Sequence, residues 1–301
     1  MLHFRTWAPR AFACFLLLPT LAIADSFDVA VTVDDLPVHG SLPRGMTWLG
    51  IAQTHLTVFK SYGVPEAFGF VNAAKLAGAA DGGAALDAWR AAGHPLGNHT
   101  YSHMNLASAP SLDAWIADVE AGEPAVASRM ASADWRYLRF PFLSAGGERQ
   151  KDALAYLHKR GYKVADVSLS FNDWAYTDAY ARCIAKDDAA AIRAMKAEYL
   201  AGVASAISRM KEQSQRVYGR VIPQVLLTHL GGWSAVTLRE VMARLNAAGA
   251  RYVTLAQAQS DPAYSVQGGG SVITRTASLK GISLAEAPPA SPPLDVGKLC
   301  R

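Results

Sequence analysis

Residues 27–35 read FDVAVTVDD, a β-branched apolar run that ends in two adjacent carboxylates, Asp34 and Asp35. Its length and composition are those of a buried strand. Two carboxylates side by side repel each other unless a positive group lies near. Turn chemistry before Pro37 is the competing account of the pair. Successive strand residues point to opposite faces, so the two need not share a task. The pattern recurs outward from this run. Strand candidates occupy 28–33, 66–71, 95–97, 137–140, 163–166, 224–228 and 251–253. Helix candidates occupy 47–62, 82–92, 111–131, 148–160, 187–217 and 236–248. Thr47 and Ser111 stand where N-caps belong. Gly63, Gly93, Gly161 and Gly249 stand where helices end. Strand-then-helix alternation predicts an α/β fold, with parallel strands covered by helices in a doubly wound sheet or a barrel.

The 301 residues suit one large domain, and 51% hydrophobic with 18% charged residues excludes a disordered chain. Arg5 and Arg10, an apolar run over 11–23 and Ala22-Ile23-Ala24 together read as a signal peptide over 1–24, cleaved after Ala24. The apolar run is short and broken by Pro19, so no membrane span is expected after cleavage. Removing residues 1–24 takes two arginines and no acid, which leaves 27 basic against 25 acidic residues, or +2. No basic block interleaved with aromatics remains, so nucleic-acid binding is not expected. Cys183 and Cys300 survive export into a compartment where disulfides persist, and a bridge or two free thiols both fit. The catalytic domain is expected over 25–261. Residues 262–301, with Gly268-Gly269-Gly270 and a Pro/Ser/Ala-rich stretch at 287–294, read as an extended tail.

Functional groups of parallel barrels gather where strands end. HPLGNHTYSH, 94–103, carries His99 and His103 at H-x-x-x-H spacing, read as two imidazoles on one helix face able to hold a cation. RYLRFPF, 136–142, sets Arg139 at a strand end, placed to pair with Asp34 or Asp35. PQVLLTHL, 223–230, ends an apolar strand in His229, with Gly231-Gly232 marking a close approach behind it. There is no G-x-S-x-G elbow and no Gly-rich phosphate loop.

In order, these segments resemble the motifs of the polysaccharide deacetylase family, carbohydrate esterase family four, across about residues 27–255. Its first motif is matched by Thr32-Val33-Asp34-Asp35 and its second by His99-Thr100-Tyr101-Ser102-His103. Arg139-Phe140-Pro141-Phe142, Asp173-Trp174 and Leu226-Leu227-Thr228-His229 match the rest. The resemblance implies a distorted parallel (β/α) barrel of about seven strands. It implies a metal, usually zinc with cobalt as a substitute, on Asp35, His99 and His103. It makes Asp34 the base, His229 the acid, and Arg139 and Asp173 the residues that tune them. Phe142 would offer its N–H to the oxyanion, Leu227 would line the acyl pocket and Trp174 would wall the groove. The implied substrate is an acetylated glycan; an ester, a non-sugar amide or a non-catalytic carbohydrate-binding role remain the alternatives. The family commonly has Gly-Pro after the two aspartates, whereas this chain has Leu36-Pro37-Val38-His39-Gly40. His39 is within reach of substrate, but His39 and His55 are read first as surface or packing residues.

Overall fold

The computed structural model describes residues 1, 3, 26–77, 80–131, 134–284 and 294–301. The expected signal peptide and its cleavage site lie outside the described residues, save Met1 and His3. In chain order the elements are β1 (Phe27–His39), α1 (Trp48–Ser61), β2 (Ala67–Val71), α2 (Ala80–Ala91) and β3 (Leu96–Asn98). Then come α3 (Leu112–Met130), β4 (Tyr137–Leu138), α4 (Gln150–Lys159), β5 (Lys163–Val164) and β6 (Leu169–Ser170). The rest are α5 (Trp174–Ala185), α6 (Ala189–Tyr218), β7 (Gln224–Gly231), α7 (Gly232–Ala247), β8 (Ala250–Val253), α8 (Leu255–Gln259) and α9 (Val272–Leu279).

Eight parallel strands form one curled sheet, a half-barrel, in the order β5-β4-β3-β2-β1-β7-β6. β8 is the eighth strand and pairs with Phe27–Ala30 at the start of β1. β1 is central because both its faces are covered: Val29, Val31 and Val33 on one side and Ala30 and Thr32 on the other are all buried. Helices cover the sheet through apolar stripes. In α1, Ile51, Ala52, His55, Val58 and Phe59 turn inward, and the Thr47 hydroxyl accepts from Gly50 N–H to start the helix. In α3, Ser111 caps Ala114 N–H in the same way. α3 also closes on the end of β3 at Gly122, where a Cβ would lie 2.7 Å from Asn98 Oδ1.

Residues 262–284 are not an extended tail. Tyr264, Val272, Ile273 and Ala277 are buried in the main core. β5 and β6 are the unpaired ends of the sheet, and the chain between them is where this segment docks. Val167 bridges Ser271, Val272 N–H donates to Val167 O at 2.8 Å, and Arg275 meets buried Asp166 at 3.1 Å. The apolar side chains of 272–277 are few, and the triple glycine before them hid them in the composition.

Cys183, buried in α5, is bonded to Cys300 across 117 residues. Arg182 adds hydrogen bonds to Val296 O at 2.9 Å and Leu299 O at 3.1 Å. The C-terminus is thereby strapped to α5. Replacing both cysteines by serine should lower unfolding free energy by about 2–4 kcal/mol. Urea midpoints of the oxidised protein and the double variant, at unchanged slope, check this.

Candidate active site

The site lies at the C-terminal ends of β1, β3, β4 and β7, in a cleft of about 330 Å³ lined by both aspartates and four histidines. Asp34 and Asp35 do not point to opposite faces. Asp35 has φ 65 and the register shifts between Val33 and Leu36, so strand alternation breaks at the pair. Both carboxylates consequently reach His99: Asp34 Oδ2 and Asp35 Oδ1 each lie 3.6 Å from its Nε2.

The two-histidine segment is a loop, not a helix face. Thr100 and His103 adopt φ 61 and 62, which no α-helix accepts. Asn98 Oδ1 accepts from Thr100 N–H at 2.8 Å, and Asp118 accepts from Ser102 N–H at 3.1 Å. Asn72 donates to His99 O at 2.7 Å. The imidazoles still converge, with ring centroids 4.8 Å apart, and His103 Nε2 lies 3.5 Å from Asp35 Oδ1. His99 Nδ1–H donates to Arg139 O at 2.8 Å, which turns the Nε2 lone pair toward the carboxylates. Asp34 Oδ1 and Asp35 Oδ1 are buried and accept no hydrogen bond among the described residues. Neutral imidazoles beside carboxylate oxygens that accept no hydrogen bond suit a divalent cation, and the ligand atoms of Asp35, His99 and His103 lie within 4.8 Å of one another. Burial pushes both histidines down to about 4, so neither needs to shed a proton at neutral pH. Burial works against the charge of Asp35, but His39, His99 and Lys75 outweigh it and hold the carboxyl well below the usual range.

Burial lifts Asp34 to about 6, and Arg139 only partly offsets it. The expected pairing exists but is long, with Arg139 Nη1 3.4 Å from both Asp34 oxygens. The guanidinium is held mainly elsewhere, donating to Ala165 O at 2.6 Å and Thr32 Oγ1 at 2.9 Å. Across the cleft, Asp173 accepts from His229 Nδ1–H at 2.9 Å, His229 N–H at 2.7 Å and Thr228 Oγ1 at 2.6 Å. Burial opposes the charge on His229, yet Asp173 outweighs it and raises the imidazole to about 9. Its Nε2 is left for the cleft. Phe142 sits at φ 58 in the turn after β4. Leu143 N–H and Ser144 N–H close that turn onto Phe140 O and Pro141 O, and the Phe142 N–H takes no part in those two bonds. Leu227 is buried at the floor, while the side chains of Phe142 and Trp174 stand 66% and 53% exposed at the rim.

Residues 24–165 match the polysaccharide deacetylase family. Over that stretch the chain is similar to polysaccharide deacetylases. Solved structures share its fold at low identity. A chitin deacetylase from the fungal pathogen Colletotrichum lindemuthianum is 21% identical over 78% of this chain and 88% of that one, TM-score 0.53. The catalytic domain of a peptidoglycan N-acetylglucosamine deacetylase from Eubacterium rectale is 17% identical over 82% and 93%, TM-score 0.53. A family 4 carbohydrate esterase from Streptomyces lividans is 17% identical over 77% and 95%, TM-score 0.50. No curated protein matches the chain.

The family match ends at residue 165, yet the cleft is completed by groups beyond it. Trp174 at the start of α5 and Leu227 and His229 of β7 meet the first-half residues in one cavity, with Asp173 bonded behind His229. His55 is a packing residue, as read: it is fully buried between Ile51 O and Ser234 Oγ. His39 is not. It lines the cleft, 2.5 Å from Asp35 Oδ2, and with Asp35 and His229 forms a second cluster of ligand-type atoms. Its signal in the sequence is the departure from Gly-Pro after the aspartates, which sets His39 within reach of substrate. Ser170 and Asn172 also line the wall and carried no sequence signal.

Proposed function

We propose that this protein hydrolyses the N-acetyl group of an amino sugar in a polysaccharide or oligosaccharide. The observation that carries the reading is one cleft that pairs a cation cradle with a base and an acid of opposite poise. Asp34, near 6, is ionised at neutral pH, and His229, near 9, is protonated. A fungal chitin deacetylase and a bacterial peptidoglycan N-acetylglucosamine deacetylase among the proteins that share the fold support an N-acetylglucosamine polymer as substrate class.

Asp35, His99 and His103 would hold a divalent cation, zinc foremost, with cobalt able to replace it. Such a cation supplies Lewis acidity toward an acyl carbonyl and a water. Asp34 takes the water proton, a task suited to a carboxylate raised toward neutrality. The Phe142 N–H donates to the oxygen on which charge develops. His229 delivers its Nε2 proton to the leaving nitrogen, while Asp173 holds Nδ1–H and keeps the ring charged. Leu227 provides an apolar floor for the acetyl methyl, and Trp174 a wall for the sugar ring. Export to the periplasm or beyond is part of the proposal, supported by residues 1–24 and by the Cys183–Cys300 bridge.

Acetate release by the purified protein from a panel tests this. The panel is N-acetylglucosamine oligomers, peptidoglycan, acetylated xylan and aryl acetates. Release from the amino sugars above the esters is expected. Turnover of esters alone would overturn the amide reading, and turnover of nothing would favour a binding role.

A pH profile separates the acid from the base. Asp34 accepts a proton only while ionised and His229 donates one only while protonated, so kcat/KM should hold between about 6 and about 9, falling below the first value and above the second. Asp173 is the largest influence holding the second value up. Asp173→Asn should therefore shift the alkaline limb at least roughly one unit lower, since one unit corresponds to only about 1.4 kcal/mol of lost charge interaction. An unmoved limb would show that another group donates the proton.

A further inference from the structure

His39 occupies a built position. β1 continues past its irregularity to pair His39 with Gly231. The next residue, Gly40, has φ +63, and a Cβ there would lie 2.9 Å from Thr177 Cγ2, so the turn is packed tightly against α5. This places the imidazole between three groups of the cleft. Nδ1 is 2.5 Å from Asp35 Oδ2, Nε2 is 3.3 Å from Trp174 O, and the ring centroid is 4.8 Å from that of His229. Asp35 is thus engaged from both ends. Its Oδ1 faces the nitrogens of His99 and His103 at 3.6 and 3.5 Å, and its Oδ2 faces His39.

We infer that His39 is a positioning residue that holds Asp35 to cation ligation through Oδ1 alone. The inference rests on the reading that Asp35, His99 and His103 hold a cation. A carboxylate with two free oxygens can chelate one cation with both, and the second oxygen takes a place that a catalytic site keeps open for water and substrate. A charge-assisted hydrogen bond from His39 Nδ1–H engages Oδ2 and fixes the carboxylate's rotation. Ligating carboxylates are commonly held by such outer partners. The alternative is that Asp35 Oδ2 and His39 Nδ1 share a second cation. Two ligands at about 2.0–2.1 Å in a tetrahedral site stand roughly 3.3 Å apart. The observed 2.5 Å is a hydrogen-bond distance, too short for that arrangement.

The test uses cobalt-loaded full-length protein, His39→Ala and His39→Asn, the amide of the latter keeping a donor near the Nδ1 position. Cobalt per chain, the visible absorption of the bound cobalt, and kcat and KM are measured on each. Wild type should bind one cobalt per chain. His39→Ala should also bind one, with weaker visible absorption as the coordination number rises, and kcat should fall about 10–100-fold with KM little changed. His39→Asn should return toward the wild-type spectrum and rate. Wild-type absorption and kcat in His39→Ala would overturn the inference while leaving the cation reading intact. Two cobalt per wild-type chain, reduced to one in His39→Ala, would make His39 a ligand and also overturn it. No cobalt bound by wild type would overturn the cation reading itself, and this inference with it.

Discussion

Protein stripped of divalent cations by a chelator should lose deacetylation to background and regain it with one equivalent of zinc or cobalt. The donor set is the reason. His99 and His103 are pushed to about 4 by burial, so both offer lone pairs at neutral pH, and His99 already spends its Nδ1 proton on Arg139 O. Asp35 stays charged beside them. Two nitrogens and one oxygen select zinc or cobalt over magnesium or calcium, which prefer oxygen alone. Without the cation the cleft keeps an acid and a base, each worth about 10²–10⁴-fold. That leaves the carbonyl unpolarised and two buried carboxylates facing each other. Metal content measured beside acetate release checks the expectation. Apo protein that retains its rate would refute metal dependence, and recovery with magnesium as readily as with zinc would refute the assigned ligands.

The fold was legible where periodicity had room to act. The helix candidate at 111–131 is α3, Leu112–Met130, because a serine cap and five turns of amphipathic sequence agree. The strand candidate at 28–33 stopped short of β1, which runs Phe27–His39. Turn chemistry at Asp34, Asp35 and Pro37 is the competing account in the sequence, but β2 and β7 flank the strand and carry its pairing past them to His39. β6 is two residues long, too short for any alternation to register. α5 was missed entirely: Trp174, Tyr176 and Tyr180 are indifferent helix formers, and the helix depends on packing against Trp233 and Tyr199.

Residue types at strand ends gave the site; their geometry did not follow from spacing. His99 and His103 were placed on a helix face, and they converge instead through two left-handed residues in a loop. Asp34 and Asp35 were placed on opposite faces, and a left-handed Asp35 brings them together. Such backbone departures are stabilised by surrounding contacts and leave no local pattern. Here Asn98, Asn72 and Asp118 supply those contacts to the histidine loop.

With both aspartates aimed at His99, their roles are told apart by electrostatics. Asp34→Asn should bind close to one zinc per chain and still lose about 10²–10⁴-fold in rate, the usual worth of a positioned base. Asp35→Ala should lose zinc and activity together. Each carboxylate has an oxygen 3.6 Å from His99 Nε2, so distance alone does not decide which one ligates. Asp35 also faces His103, is surrounded by cationic or donor groups and is driven down in pKa, as an anionic ligand must be. Asp34 is wholly buried, lifted to about 6 and poised to accept a proton near neutral pH. Asparagine at position 34 keeps the shape but neither the charge nor the basicity. Arg139 would remain satisfied by Ala165 O and Thr32 Oγ1, so the cradle should survive the substitution. Metal analysis of both purified variants beside their acetate release decides the matter. A metal-free Asp34→Asn or a zinc-loaded Asp35→Ala would exchange the two roles, and near-normal activity in Asp34→Asn would place the base elsewhere in the cleft.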